Sequence, residues 1–315
     1  MNDTILKSKA LNGMIWSAID YFSAYAGQFA LGVVLARLLA PEDFGLIGML
    51  SLFIAISQTF IDSGLASGLI QKNNRTDIDF STVFVFNFLV SLAFYCILFL
   101  SAPSIAAFYG KPQLVLLTRV LLIDIIINSL AVVQRTKLTI QLDFKTMAKA
   151  NLARVLGSSI VGITLAFYDY RVWALVFQIL SGSAISVAMY WILSKWQPSI
   201  RFSRQSFAEL FGFGSKLLIA RLYSQIFNNI YNMVIGKVYP ASVLGYYTKA
   251  KSFAETASGT VGAIIQQVTY PLLASLSNDR ERMIQVYRRL IRMTAFIVFP
   301  AMALLAVCKF SVKLT

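Results

Sequence analysis

Eight ionisable side chains lie inside long apolar stretches of this sequence: Asp20, Asp62, Asp124 and Glu255 against Arg119, Arg154, Lys216 and Arg221. A charge at the centre of a bilayer costs about 2.5–3.5 kcal/mol on insertion scales, so such groups turn toward a bundle interior or a wet cavity. Arg154 and Lys216 lie near helix ends, where a long side chain reaches the interface by snorkelling. Asp20, Asp124 and Arg221 lie near mid-depth, and Arg119 nearer the opposite end. Around Arg221 a pattern appears. Arg221, Ser224, Gln225, Asn228 and Asn232 follow i, i+3, i+4, i+7 and i+11, and so share one helical face. Glu255 begins a similar row with Ser258, Gly259, Gly262 and Gln266. Two roles suit these rows: the polar wall of a substrate cavity, or hydrogen bonding that holds helices together.

The residue types that are missing narrow the chemistry. The 315 residues contain no histidine, which removes imidazole acid–base catalysis, Ser–His nucleophiles and nearly every common zinc site. Both cysteines, Cys96 and Cys308, fall within apolar spans and read as small hydrophobes. We expect no enzyme here, no catalytic residue, no metal site and no cofactor. The four embedded carboxylates Asp20, Asp62, Asp124 and Glu255 are candidates for proton or sodium coupling, or for neutralising the embedded cations.

The elements that must hold these groups are membrane helices. Hydrophobic residues make up 57% of the chain and charged ones 13%, too few for a water-facing surface. A helix crosses a bilayer with about 20 apolar residues. Nine spans meet that requirement, at 13–36, 44–70, 81–101, 114–134, 151–168, 172–194, 213–236, 250–275 and 293–310. With a cytoplasmic N-terminus, sixteen Lys and Arg fall in inner loops. Six fall in outer ones: Arg37, Lys111, Arg171, Lys237, Lys249 and Lys251. That asymmetry is the positive-inside rule. It accounts for most of the net charge of +14 without nucleic acid. The first apolar run lacks a small-residue cleavage site and reads as a helix, not a signal peptide. Gly64 and Gly68 form a GxxxG in the second span, which points to close helix packing.

Residue n matches residue n+200 over the first two spans. Arg37 falls on Lys237, Gln28 on Asn228, Gly45 on Gly245 and Phe53 on Phe253. The equivalents of the row on the seventh span include Tyr21, Tyr25 and Gln28, a milder polar-aromatic face on the first. Six spans separate the copies, which gives parallel repeats about an axis along the membrane normal, as in two-lobed transporters. The expected fold is an all-α polytopic membrane protein. Its six-helix lobe would span 1–200, and 201–315 would be the first three helices of a second, shortened lobe.

ARLLAPEDFGLIGMLSLF (36–53), FIDSGLASGLIQKNN (60–74), LGYYTKAKSFAE (244–255) and VTYPLLASLSNDRERM (268–283) carry a resemblance. In order and spacing the chain resembles the bacterial polysaccharide (O-antigen) flippases of the multidrug/oligosaccharidyl-lipid/polysaccharide exporter superfamily. The resemblance implies two six-helix lobes around a cavity that opens to each membrane face in turn. It implies carriage of undecaprenyl-pyrophosphate-linked oligosaccharide across the bacterial inner membrane for lipopolysaccharide, capsule or exopolysaccharide assembly. A monomer is expected, working beside a polysaccharide polymerase and other assembly proteins. A pyrophosphate needs a cation, and Arg221 is the first candidate, with Gln225, Asn228, Asn232, Tyr21, Tyr25, Gln28 and Arg119 as further cavity residues. The alternatives are a multidrug–cation exporter of the same superfamily, a non-transporting fragment, and a membrane glycan polymerase.

Overall fold

The computed structural model describes residues 26–255, except 63, 73, 142, 195 and 200, together with a few positions between 288 and 300. All regular structure among the described residues is helical. The elements are α1 (Ala26–Leu38), α2 (Pro41–Asp62), α3 (Leu65–Gln71), α4 (Asp77–Tyr109), α5 (Leu114–Leu121), α6 (Ile123–Ser129), α7 (Val132–Ile140), α8 (Phe144–Phe167), α9 (Val172–Ser194), α10 (Arg204–Val238) and α11 (241–255). Among the described residues, five segments are long and apolar enough to cross a membrane: Pro41–Gln71, Asp77–Tyr109, Leu114–Ile140, Phe144–Phe167 and Val172–Ser194. The shortest has 23 residues. At 1.5 Å per residue it runs about 35 Å, against a hydrocarbon core of about 30 Å. Leu100 (77% exposed), Phe167 (72%) and Ile219 (68%) would be unstable in water and suit a lipid-facing surface. This is a multi-pass membrane protein.

The helices overrun the apolar runs because polar residues cap them. Read as 81–101 from hydropathy, the third span is 77–109: Thr76 and Asp79 form a reciprocal capping box, and Gly110 ends the helix at φ +64°. The seventh span, expected from 213, starts at Arg204. The Ser203 hydroxyl there accepts from the Ser206 N–H at 3.3 Å, and Leu210 packs with Leu65, Phe80 and Trp196. The eighth, expected from 250, begins at 241, directly after Pro240, as α2 begins at Pro41. The second span is broken. Gly64 adopts φ +68° between α2 and α3, where a Cβ would collide with the backbone of Gly214 on α10. The fourth, Leu114–Ile140, is three helices joined by tightened i+3 turns, among them Ile125 N–H to Leu122 C=O at 3.1 Å.

Polar contacts gather at the two ends of the bundle. At one end Lys72 bridges Asp79 (3.0 Å) and Glu209 (2.9 Å), and Ser81 meets Ser199. Hydrogen bonds to Glu209 first, then to Asp79, hold the Lys72 ammonium above its ordinary pKa. At the other end Lys111 pairs with Glu42 at 3.0 Å, and the Lys237 ammonium donates to the Phe108 carbonyl. Between them, Leu114, Leu117, Leu121, Ile125, Val176 and Leu244 form the main core.

Near the Lys111 end α2 crosses α11 at backbone distance. A Cβ on Gly45 would collide with the Ala241 carbonyl oxygen, and a Cβ on Gly245 with the Pro41 carbonyl oxygen. The two contacts are the same contact exchanged by the 200-residue offset. Gly48 continues the crossing: a Cβ there would stand only 2.8 Å from the Thr248 methyl. α8 and α9 form a hairpin whose four-residue turn places Asp169 and Arg171 at positive φ (58° and 48°).

Candidate functional site

Behind this crossing lies a cavity of ≈ 430 Å³ between α1, α2, α9, α10 and α11. Leu31, Leu35, Phe44, Ile47, Leu175 and Ile179 supply its apolar wall. Four carboxamides, Gln28, Gln178, Asn229 and Asn232, supply groups that both donate and accept. Ser51, Thr248 and Ser252 add hydroxyls, and Lys249, Lys251 and Glu255 add charge.

Helix geometry aims these groups inward. Asn229 and Asn232, three residues apart on α10, share a face. Asn232 is 5% exposed and donates to the Ser51 hydroxyl of α2 at 2.7 Å, while its Oδ1 has no partner among the described residues. The Asn229 amide donates back to the Gln225 carbonyl at 3.0 Å and to Gln225 Oε1 at 3.3 Å. On α11, Lys251 donates to the Asn228 carbonyl at 2.6 Å and lies 3.7 Å from Glu255 Oε1. The Lys249 ammonium sits 3.8 Å from the centroid of the Phe44 ring. Among the described residues no carboxylate forms an ion pair with Lys249. An aromatic face only partly replaces the water a cation has lost. Among the described lining residues, two ammoniums against one carboxylate, set among amides and hydroxyls, suit an anion that carries hydroxyl groups.

The residues singled out from the sequence fall in several places. Gln28, Asn232 and Glu255 line the cavity. Asn228 is exposed and contributes only its backbone carbonyl; Gln225 stands one turn back, holding Asn229. Arg221 is not part of the described wall. It is exposed and reaches Ser67 Oγ on α3 at 3.4 Å. The row does run along one face, but from Arg221 to Asn232 is about 16 Å of helix, and the cavity meets only the far end. Arg119 lies away from the cavity, its guanidinium 4.4 Å from the Phe99 ring centroid. Asp62 pairs with Arg135 at 3.2 Å. Asp124, on α6, is 6% exposed and accepts from Gln58 of α2 at 3.3 Å; Asn128 donates to the Asp124 carbonyl and to Ser183 of α9. Asp20, Tyr21 and Tyr25 lie outside the described residues, as do most of the eighth and ninth spans.

Lys249 and Lys251 are the main residues that hydropathy reasoning passes over, because it assigns both to an outer loop. The signal that places them is the offset: a helix beginning after Pro240, as α2 begins at Pro41, carries both lysines on its third turn. Asn229 sits beside the expected row, and Ser51 and Gln178 have no distinguishing pattern.

A family model described as polysaccharide biosynthesis protein matches residues 34–314. The chain is 25% identical over 298 residues to the teichuronic acid biosynthesis protein TuaB of Bacillus subtilis, covering 94% of this chain and 62% of that protein. It is 24% identical to the lipopolysaccharide biosynthesis protein WzxC of Escherichia coli (94% and 61%). To the succinoglycan biosynthesis transport protein ExoT of Rhizobium meliloti it is 22% identical (96% and 61%). The chain thus spans less than two thirds of the length of these relatives. Among solved structures, an inward-facing multidrug resistance MATE family transporter of the MOP superfamily superposes with a TM-score of 0.61. That likeness covers 90% of this chain and 68% of that one, at 16% identity. The MATE multidrug transporter DinF-BH gives 0.55 at 13% identity, over 96% and 75%. At these identities the likeness is one of fold alone: all-α and polytopic.

Proposed function

This chain belongs to the polysaccharide biosynthesis protein family, and on that premise we propose that it carries lipid-linked oligosaccharide across the bacterial inner membrane by alternating access. The cargo is an undecaprenyl-pyrophosphate-linked unit destined for a surface polysaccharide. In this reading residues 1–200 and 201–315 belong to two lobes, a division supported by the exchanged contacts of Gly45 and Gly245. The N-terminus and the Lys72 end face the cytoplasm, and the Lys111 end faces outward. The protein moves its substrate without altering it and performs no catalysis.

The observation that carries the proposal is Lys249: a cation in a membrane cavity, facing an aromatic ring, with no ion-paired carboxylate among the described residues. A diphosphate would complete it, with Lys251 beside it, while the carboxamides bond sugar hydroxyls. A proton or sodium gradient would supply the drive, with Asp124 and Glu255 as carboxylates able to respond. A cationic drug suits this cavity less well, since its described wall has two ammoniums and one carboxylate.

Complementation tests the proposal. The chain is expressed in a bacterium whose own polysaccharide flippase is deleted and whose repeat unit matches, and surface polymer is stained. Restored polymer that disappears in Lys249→Gln, with the variant still in the membrane, supports the reading. Restored polymer that survives that substitution removes Lys249 from the path.

A further inference from the structure

We infer that the seam between α4 and α5, near the Lys111 end, binds the phosphate of an anionic phospholipid, with Arg119 as the cation and the Phe99 ring as its floor. The inference does not rest on the carrier reading, since it concerns the lipid-facing side of the bundle and not the cavity.

Arg119 is a cation within a membrane span, and its guanidinium lies 4.4 Å from the Phe99 ring centroid. It forms no hydrogen bond or ion pair among the described residues, and its Nε is buried without an acceptor. A ring face returns only part of the hydration that a half-buried guanidinium gives up. Glu42, at this end of the bundle, is held by Lys111 at 3.0 Å. The group that suits Arg119 is an anion, and its planar fork of five donors matches the several oxygens of a phosphate.

The surroundings decide which phosphate. Leu92, Cys96 and Phe99 follow one face of α4, and the first two are exposed. On α5, Leu116 is exposed one turn before Arg119, while Leu114, Leu117 and Leu121 turn into the core. The seam is walled by alkyl and aromatic groups, unlike the cavity with its amides and hydroxyls. Acyl chains continue such a wall, whereas a free phosphate gains nothing from it. Arg119 lies five residues into α5, about 8 Å of rise from Leu114, so its long side chain reaches the level where headgroup meets acyl chain. Basic pockets between membrane helices hold lipid headgroups in this way. A zwitterionic headgroup brings its own ammonium beside the phosphate, so the seam selects phosphatidylglycerol over phosphatidylcholine.

The test reads lipid binding and needs no cargo. The purified chain is titrated in detergent with dioleoyl phosphatidylglycerol or dioleoyl phosphatidylcholine, and bound lipid is counted by native mass spectrometry. The natural protein should prefer phosphatidylglycerol, and Arg119→Gln should weaken its tightest binding about tenfold while leaving phosphatidylcholine unaffected. Arg119→Lys, which keeps the charge and loses the fork, should fall between the two. Phosphatidylglycerol should raise the melting temperature of the natural protein and not that of Arg119→Gln, a difference that a purely structural arginine would not produce. Equal retention by Arg119→Gln overturns the site. An equal loss in Arg204→Gln, an exposed cation at the Lys72 end, also overturns it by showing attraction through net charge alone. Displacement of the lipid by excess inorganic phosphate would identify a free-anion site instead. If Arg119→Gln does not fold, the natural protein decides: phosphatidylglycerol with a photoreactive diazirine in its headgroup should crosslink within 96–103 or 114–121, and crosslinks confined elsewhere overturn the proposal.

Discussion

The Lys249 ammonium rests 3.8 Å from the centre of the Phe44 ring, joining α11 to α2 across the cavity rim. The aromatic face stabilises the cation by about 0.5–2 kcal/mol, less than an ion pair in the same surroundings would.

Lys249→Gln should therefore lower surface polymer about tenfold or more, since hydrogen bonds to charged groups contribute about 1.5–3 kcal/mol. Polymer staining normalised to membrane-protein level is the measurement.

Arg221→Ala should change polymer export less than about twofold. Its guanidinium is exposed and makes one long bond, to Ser67 at 3.4 Å, and exposed polar contacts contribute little. A loss as large as that of Lys249→Gln would show that the row's charged end meets the cargo in another conformation.

Asn232→Leu should raise the melting temperature of the purified protein by about 2–4 °C while lowering transport. The substitution removes an unpartnered buried acceptor, a gain of about 1 kcal/mol, and Ser51 keeps its bond to the Gly48 carbonyl. Scanning fluorimetry and polymer staining on the same variant check both halves.

Lys72 gives a pH signature. Its pKa is raised in the folded protein by Glu209 and Asp79, so its contribution to stability is complete below the ordinary lysine value near 10.5. It is lost as pH climbs through the higher folded value. The difference in melting temperature between the natural protein and Lys72→Met should be constant near neutral pH. It should shrink only above about pH 10.

The membrane helices were legible because lipid imposes a simple rule, long runs without charge, and α9 was readable to the residue. Their ends were less so. Thr76, Asp143 and Ser203 begin helices with polar side chains that a hydropathy reading counts as loop. The cost was greatest at α11, where a late start left Lys249 outside the helix and Lys251 was counted with the outer loop. Arg221 and Asn232 share a face, as their spacing says, but periodicity carries no information about depth along that face. The Asp62–Arg135 pair joins separate spans, and no local pattern announces it.

The hairpin of α8 and α9 and the exchanged contacts of α2 and α11 differ in when they can form. The hairpin's partners leave the ribosome together and can settle in lipid as a unit. Gly45 must wait for Ala241, and Pro41 for Gly245, until most of this chain has been made. Through that interval Gln28, Ser51 and Gln178 border no finished cavity, and the groove over Gly45 lies open to lipid or to whatever guides insertion. The cavity thus cannot form before α11 has been made, and a delay before α11 should expose the growing chain to quality-control proteases at the residues that later line it.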